Sequence, residues 1–246
     1  MDRVIIMNKA IVNLIILDSS GSMCSIKEPI MESFNSQIQS IKDSSKQHDI
    51  QSFAGLIVFS SGGWFGDEGA EKRKPEENGV KTIFLCEKPE ALQPLNGETY
   101  QTGGGTALYD AIGYGIKALS QKLGYYFQSC KVLVTIFTDG EENSSRCYNG
   151  GQIADLIKEH QDEHDWTFVY IGANHDVAKF ARDHNILATN ALQYAASGKG
   201  VQEMTRKLED EHYRLLCQHC RRGRYQSGLL REKLIKQRGF GPFFLD

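Results

Sequence analysis

Residues 11–17 read I-V-N-L-I-I-L, an almost continuously apolar run broken only by Asn13. A strand with one wet face alternates between apolar and polar residues. A run without alternation belongs to a strand covered on both faces, as in a parallel sheet between helical layers. The run stops at D-S-S-G-S, residues 18–22. Polar groups directly after such a strand stand at the carboxyl edge of the sheet, where open α/β sheets hold their ligands. Asp18, Ser20 and Ser22 supply a carboxylate and two hydroxyls within five residues, and Gly21 lets the backbone turn tightly enough for them to converge.

Such donors suit hard cations that take oxygen ligands, magnesium above all, which prefers few carboxylates and keeps several waters. One carboxylate and two hydroxyls leave the ion short of ligands, so further donors are needed. The chain offers two more places for them. Gly103, Gly104 and Gly105 form a turn that ends in the hydroxyl of Thr106. Thr138, Asp139 and Gly140 follow the apolar run 132–137 as Asp18 follows Leu17. Three loops are therefore expected to meet at one edge of one sheet.

D-x-S-x-S at 18–22, a glycine-preceded Thr106 and T-D-G at 138–140 together resemble the von Willebrand factor type A domain and its metal-ion-dependent adhesion site. The resemblance spans about residues 10–190 and leaves the last fifty or so unexplained. It implies a doubly wound, mostly parallel, Rossmann-like α/β sheet with one antiparallel edge strand. It also implies that Ser20, Ser22 and Thr106 contact a Mg2+, Mn2+ or Ca2+ ion directly. Asp18 and Asp139 would act largely through water, with Asp139 able to move closer when no ligand is bound. A partner protein's Asp or Glu carboxylate would take the ion's open position.

Hydrophobic periodicity supports this outline. Ile26, Ile30, Phe34, Ile38 and Ile41 predict a helix over about 27–46, and Leu108, Ala111, Ile112, Gly115, Ile116 and Leu119 predict another directly after Thr106. Strands are expected at 53–59, 81–86 (the antiparallel edge), 132–137, 167–171 and, last and short, 186–188. Further helices carry Ile153, Leu156 and Ile157, then Val177, Phe180 and Ala181. Strands alternating with helices imply right-handed crossovers in a parallel sheet. Residues 60–79, charged and glycine-rich, read as an exposed loop with Trp64 and Phe65 near its tip.

The expected division is a type A domain over 1–196 and a basic, helical C-terminal extension over 197–246. The net charge of −3 is uneven: the extension holds eleven Lys and Arg against six Asp and Glu. Val201, Met204, Leu208, Leu215 and Leu216 suit a helix there, and Leu229 to Ile235 a second one. Docking on the acidic body, with Arg221, Arg222 and Arg224 at an exposed break, explains this charge asymmetry; the alternative is a nucleic-acid-binding arm formed by residues 197–246. No apolar run approaches the roughly 20 residues of a membrane helix. The N-terminus is a poor secretory signal and the six cysteines are scattered, so reduced thiols and a cytoplasmic setting are expected.

Enzymatic readings find less support. Ser20 stands where an aspartyl-phosphate phosphohydrolase would carry a second Asp, and neither a P-loop nor a G-x-S-x-G elbow occurs. His212, Cys217, His219 and Cys220 contain one C-x-x-C, but no second pair stands beside it. Asp176 reads as a helix cap, and Glu141 and Glu142 as part of a solvated loop. The expected function is an intracellular, cation-dependent protein-binding module without catalysis. The alternative is a hydrolase or phosphatase using the ion as a Lewis acid.

Overall fold

The computed structural model describes residues 10–48, 51–61, 74–124, 130–164 and 166–209. Its elements are β1 (Ala10–Asp18), α1 (Lys27–His48), β2 (Ser52–Phe59), β3 (Val80–Glu87), α2 (Leu108–Leu123), β4 (Cys130–Thr138), α3 (Gly150–His164), β5 (Trp166–Gly172), α4 (Val177–Asp183) and β6 (Ala191–Gln193). Residues 198–209 are also helical and are called α5. One six-stranded sheet runs in the order β3-β2-β1-β4-β5-β6. All its pairs are parallel except β2 with β3, so the antiparallel strand lies at the edge, as the sequence predicts.

β1 is central and both of its faces are covered, which is why its sequence does not alternate. Val12, Leu14 and Ile16 pack with Ile112 and Ile116 of α2, Ile153 of α3 and Val177 of α4. Ile15 and Leu17 pack on the other face with Ile30, Phe34 and Ile38 of α1. α2 lies close to the sheet at Gly115, where a Cβ would meet Ile16 Cδ1 and Ile57 Cδ1 at 3.1 Å. The chain winds outward from β1 to β2 on one side and resumes with β4 on the other. At that switch point the loops leave in opposite directions and open a crevice at the carboxyl edge. The register Leu17↔Phe137 sets Asp18 level with Thr138 across the crevice.

The expected strand over 186–188 is corrected by the structure: Ala188–Asn190 is a 3-10 turn, and pairing with β5 begins at Ala191. The reason is the end of α4. Asn185 takes φ 59°, and the Ile186 N–H returns to Ala181 O at 2.8 Å, a Schellman closure. Ile186 is buried there as the closure's apolar contact, so it is committed before strand pairing starts.

Val201, Met204 and Leu208 of α5 are buried in the same cluster as Ile30 and Phe34 of α1. The Thr205 hydroxyl donates to Ser33 Oγ and the Ser36 hydroxyl to Glu209, each at 2.5 Å. Trp64, Phe65, the arginines at 221, 222 and 224, the His212 to Cys220 group and the second expected helix lie outside the described residues. Among the described residues no helix is long and apolar enough to cross a membrane.

If α5 belongs to the core, Met204→Ala leaves a cavity and lowers unfolding free energy by about 2–5 kcal/mol, read from urea denaturation. A change within about 0.5 kcal/mol, the range of surface substitutions, would place α5 outside the cooperative unit.

Candidate metal centre

Asp18, the last residue of β1, is fully buried. Its Oδ2 accepts the Thr138 hydroxyl at 2.6 Å and its Oδ1 the Ser20 N–H at 2.6 Å. Its backbone carbonyl accepts the hydroxyl of buried Tyr100 at 2.6 Å. Ser22 donates to Asp139 Oδ1 at 2.5 Å, and Ser20 Oγ lies 3.1 Å from Ser22 Oγ. Thr106 reaches the same place: a Cβ on Gly140 would lie 3.4 Å from Thr106 Oγ1 and 3.7 Å from Ser22 Oγ. The two hydroxyls thus flank one small space over a residue that has no side chain to fill it. Asp18, Ser20, Ser22, Thr106 and Asp139 are brought together from three loops, with Ser22 exposed at the mouth and the other four buried.

Backbone hydrogen bonds lace these loops. Gly21 N–H donates to Gly104 O at 2.9 Å and Gly103 N–H to Ser19 O at 2.8 Å, joining the first loop to the second. Ser61 closes on the second loop from β2, accepting Gly105 N–H at 2.6 Å on its Oγ. Gly104 has φ +73°, and a Cβ there would fall 2.5 Å from Ser61 O, so this position needs glycine. The third loop meets the second where Thr106 N–H donates to Asn143 Oδ1 at 2.8 Å.

Helix capping is the ordinary use of serine and threonine before a helix. It does not account for these hydroxyls. Ser20 precedes a 3-10 turn, Gly21–Ile26, and makes no side-chain cap bond. The residue capping α2 is Ala107, not Thr106. Asp176, by contrast, caps α4 as expected, accepting Lys179 N–H at 2.8 Å.

Several supporting residues gave no local signal in the sequence. Tyr100 and Asn143 act across 82 and 37 positions. Glu141 is exposed, but Glu142 is half-buried and accepts the Tyr109 N–H of α2 at 2.9 Å, so the solvated-loop reading fails for it. Its other two partner amides, Ser144 and Ser145, are near neighbours, but Tyr109 lies 33 positions away and no periodic pattern points to it. Asp110, in the first turn of α2, is likewise fully buried.

Burial dominates the electrostatics. Desolvation pushes the Asp18 carboxyl up to about 6, outweighing the hydrogen bonds from Thr138 and from the Ser20 amide. Asp139 is raised for the same first reason, against the hydrogen bond from Ser22. A buried carboxylate pair is relieved by a proton or by a cation. Hydroxyl and carboxylate oxygens around a space bounded by a glycine fit a hard divalent cation.

No family profile and no curated protein matches this sequence. Solved structures do match in fold. Proximal thread matrix protein 1 from the mussel byssus, in a structure with a zinc-occupied MIDAS motif, matches at 17% identity with a TM-score of 0.51, covering 81% of this chain and 47% of that one. The pilus adhesin SpaC from Lactobacillus rhamnosus GG matches at 16% identity with a TM-score of 0.53, covering 84% of this chain and 31% of that one. The chain spans less than half the length of either.

Two pH effects follow, and their signs differ. A carboxyl raised from 3.8 to about 6 on folding stabilises the cation-free fold below the lower value, and this contribution is lost as pH rises through about 6. Cation affinity moves the other way, because proton and ion compete. It is expected to rise about tenfold per pH unit below about pH 6 and to level off above about 7. Calorimetric titration with Mn2+ across this range checks it; an affinity flat from about pH 5 to 7 would show that the Asp18 carboxyl does not hold the ion.

Proposed function

We propose that this chain, which has a von Willebrand factor type A-like fold, is a divalent-cation-dependent protein-binding module. In this reading Asp18, Ser20, Ser22, Thr106 and Asp139 hold the ion, with Mg2+ favoured and Mn2+ or Ca2+ as alternatives. The observation that carries it is the convergence, at one sheet edge, of hydroxyls that do no capping with two buried carboxyls. When bound, the cation would supply a positive centre with a coordination position for an outside oxygen. The serine and threonine oxygens are neutral donors, so they leave the ion's charge largely uncancelled. That favours an anionic group from outside, and a partner's Asp or Glu carboxylate is the proposed ligand. Thr138 and the Ser20 amide keep Asp18 oriented, and Ser22 aligns Asp139.

Binding is favoured over hydrolysis. A Lewis-acid hydrolase needs a proton acceptor beside the ion. His175, three residues beyond β5, has both ring nitrogens engaged, with Tyr170 OH at 2.8 Å and Ala173 O at 2.5 Å. A reducing, intracellular setting is also part of the proposal. Its support is that Cys24, Cys86 and Cys130 are free thiols. The matched structures are of a matrix protein and an adhesin, which accords with a binding role rather than catalysis.

Ser22→Ala and Thr106→Val test the reading. Ser22 is exposed and valine keeps the volume of threonine, so neither change opens a cavity. Wild type should gain about 5–10 °C in Tm at a Mg2+ concentration about 100 times its Kd, the size expected for roughly 2.7 kcal/mol of linkage. Each variant should lose most of that gain while keeping its Tm in EDTA within about 3 °C. Retention of the full Mg2+ gain by both variants would place the ion elsewhere.

A further inference from the structure

Asp110 lies outside the five residues assigned to the ion, yet it is among the most completely bonded side chains around them. Its carboxylate is fully buried and accepts four N–H groups. Oδ1 takes the amides of Cys147 at 2.8 Å and Tyr148 at 2.9 Å. Oδ2 takes the amide of Arg146 at 3.0 Å and Asn78 Nδ2 at 2.7 Å. Three consecutive backbone amides turned on one carboxylate form an anion nest, here filled by the protein's own side chain. Asp110 N–H also donates to Ser145 Oγ at 3.0 Å.

Glu142 completes the arrangement from the opposite side. Its Oε1 accepts Ser144 N–H at 2.8 Å and Ser145 N–H at 2.7 Å, and its Oε2 accepts Tyr109 N–H at 2.9 Å. The first turn of α2 and residues 142–148 are therefore clasped by two carboxylates, one contributed by each. Thr106 lies just before that turn of α2, and Asp139 just before Glu142 on the other arm. Among the hydrogen bonds of the described residues, none joins Thr106 directly to Asp139. Their separation is set through the clasp and through the bonds between Thr106 and Asn143.

We propose that Asp110 is a positioning residue of the metal centre: by gathering the amides of residues 146–148 it holds the Asp139 arm against the Thr106 arm, so that both face one cation. The inference rests on the reading of the five residues as cation ligands. Its physical content is preorganisation. Without the clasp, closing the two arms around an ion costs loop entropy at the moment of binding, and affinity falls. An asparagine in place of Asp110 keeps the size but turns an NH2 donor toward N–H donors, so part of the nest is left without an acceptor.

The test is Asp110→Asn, with Mn2+ titrated calorimetrically and Tm measured in EDTA and in saturating Mg2+. Positioning predicts a Mn2+ affinity weakened about tenfold or more, as for other groups that orient metal ligands from behind, measured well below the Tm of the variant. It also predicts that the Mg2+-induced gain in Tm shrinks. A merely structural role lowers Tm equally in EDTA and in Mg2+ and leaves Kd within about twofold of wild type, which would overturn the proposal. If the buried substitution prevents folding, Glu142→Gln, at a half-buried position, decides by the same two readouts. Wild type that binds no Mn2+ would overturn the ligand assignment itself, and so is distinguishable from a variant that binds as well as wild type.

Discussion

The Thr138 hydroxyl hydrogen-bonded to the Asp18 carboxylate spans the crevice between β1 and β4, and the geometry of the candidate centre depends on it. It joins the ends of two central parallel strands at the point where the winding of the sheet reverses. A fully buried carboxylate without partners would be costly, of the order of several kcal/mol. Thr138 and the Ser20 amide offset part of that, but burial still dominates, and Asp18 stays raised to about 6. The fold thus carries an anion that its own hydrogen bonds only partly satisfy. That residual demand is what makes the edge a candidate site for a cation, rather than a well-capped loop.

Around that bond the loops divide the work. The glycines at 103–105 let the second loop approach the first within hydrogen-bonding distance, and Ser61 closes it from the side of β2. The third loop is held from behind by Asp110 and Glu142, neither of which lines the space over Gly140. Rigid backbone thus presents a few polar oxygens, and side chains buried behind the loops set their separation. Candidate ligands on loops depend on such support, because the loop backbone alone supplies little order.

α5 extends the same logic to the other face of the sheet. With Val201, Met204 and Leu208 packed alongside α1, residues 198–209 help cover the face that β1 presents through Ile15 and Leu17. α1 follows the Ser20–Ser22 loop through one 3-10 turn, so the packing of α1 and α5 bears on where that loop sits.

Sequence alone determined the architecture and singled out the five candidate oxygen donors. An unbroken apolar strand admits few environments, and polar residues directly after it must stand at the sheet edge. The order D-x-S-x-S, Thr, T-D-G places each candidate donor at a strand or helix boundary. Tertiary structure alone decided the rest. It showed that the Ser20 side chain makes no capping bond and that Thr106 is not the cap of α2, that Glu142 is structural where a solvated residue was expected, and that Asp110 binds a nest more than thirty positions away. It also moved the last strand from 186–188 to Ala191–Gln193, because the Schellman closure of α4 claims Ile186 first. The physical reason is the same in each case. Periodicity reports which face of an element is buried, whereas the partner of a buried carboxylate is chosen by where distant loops meet.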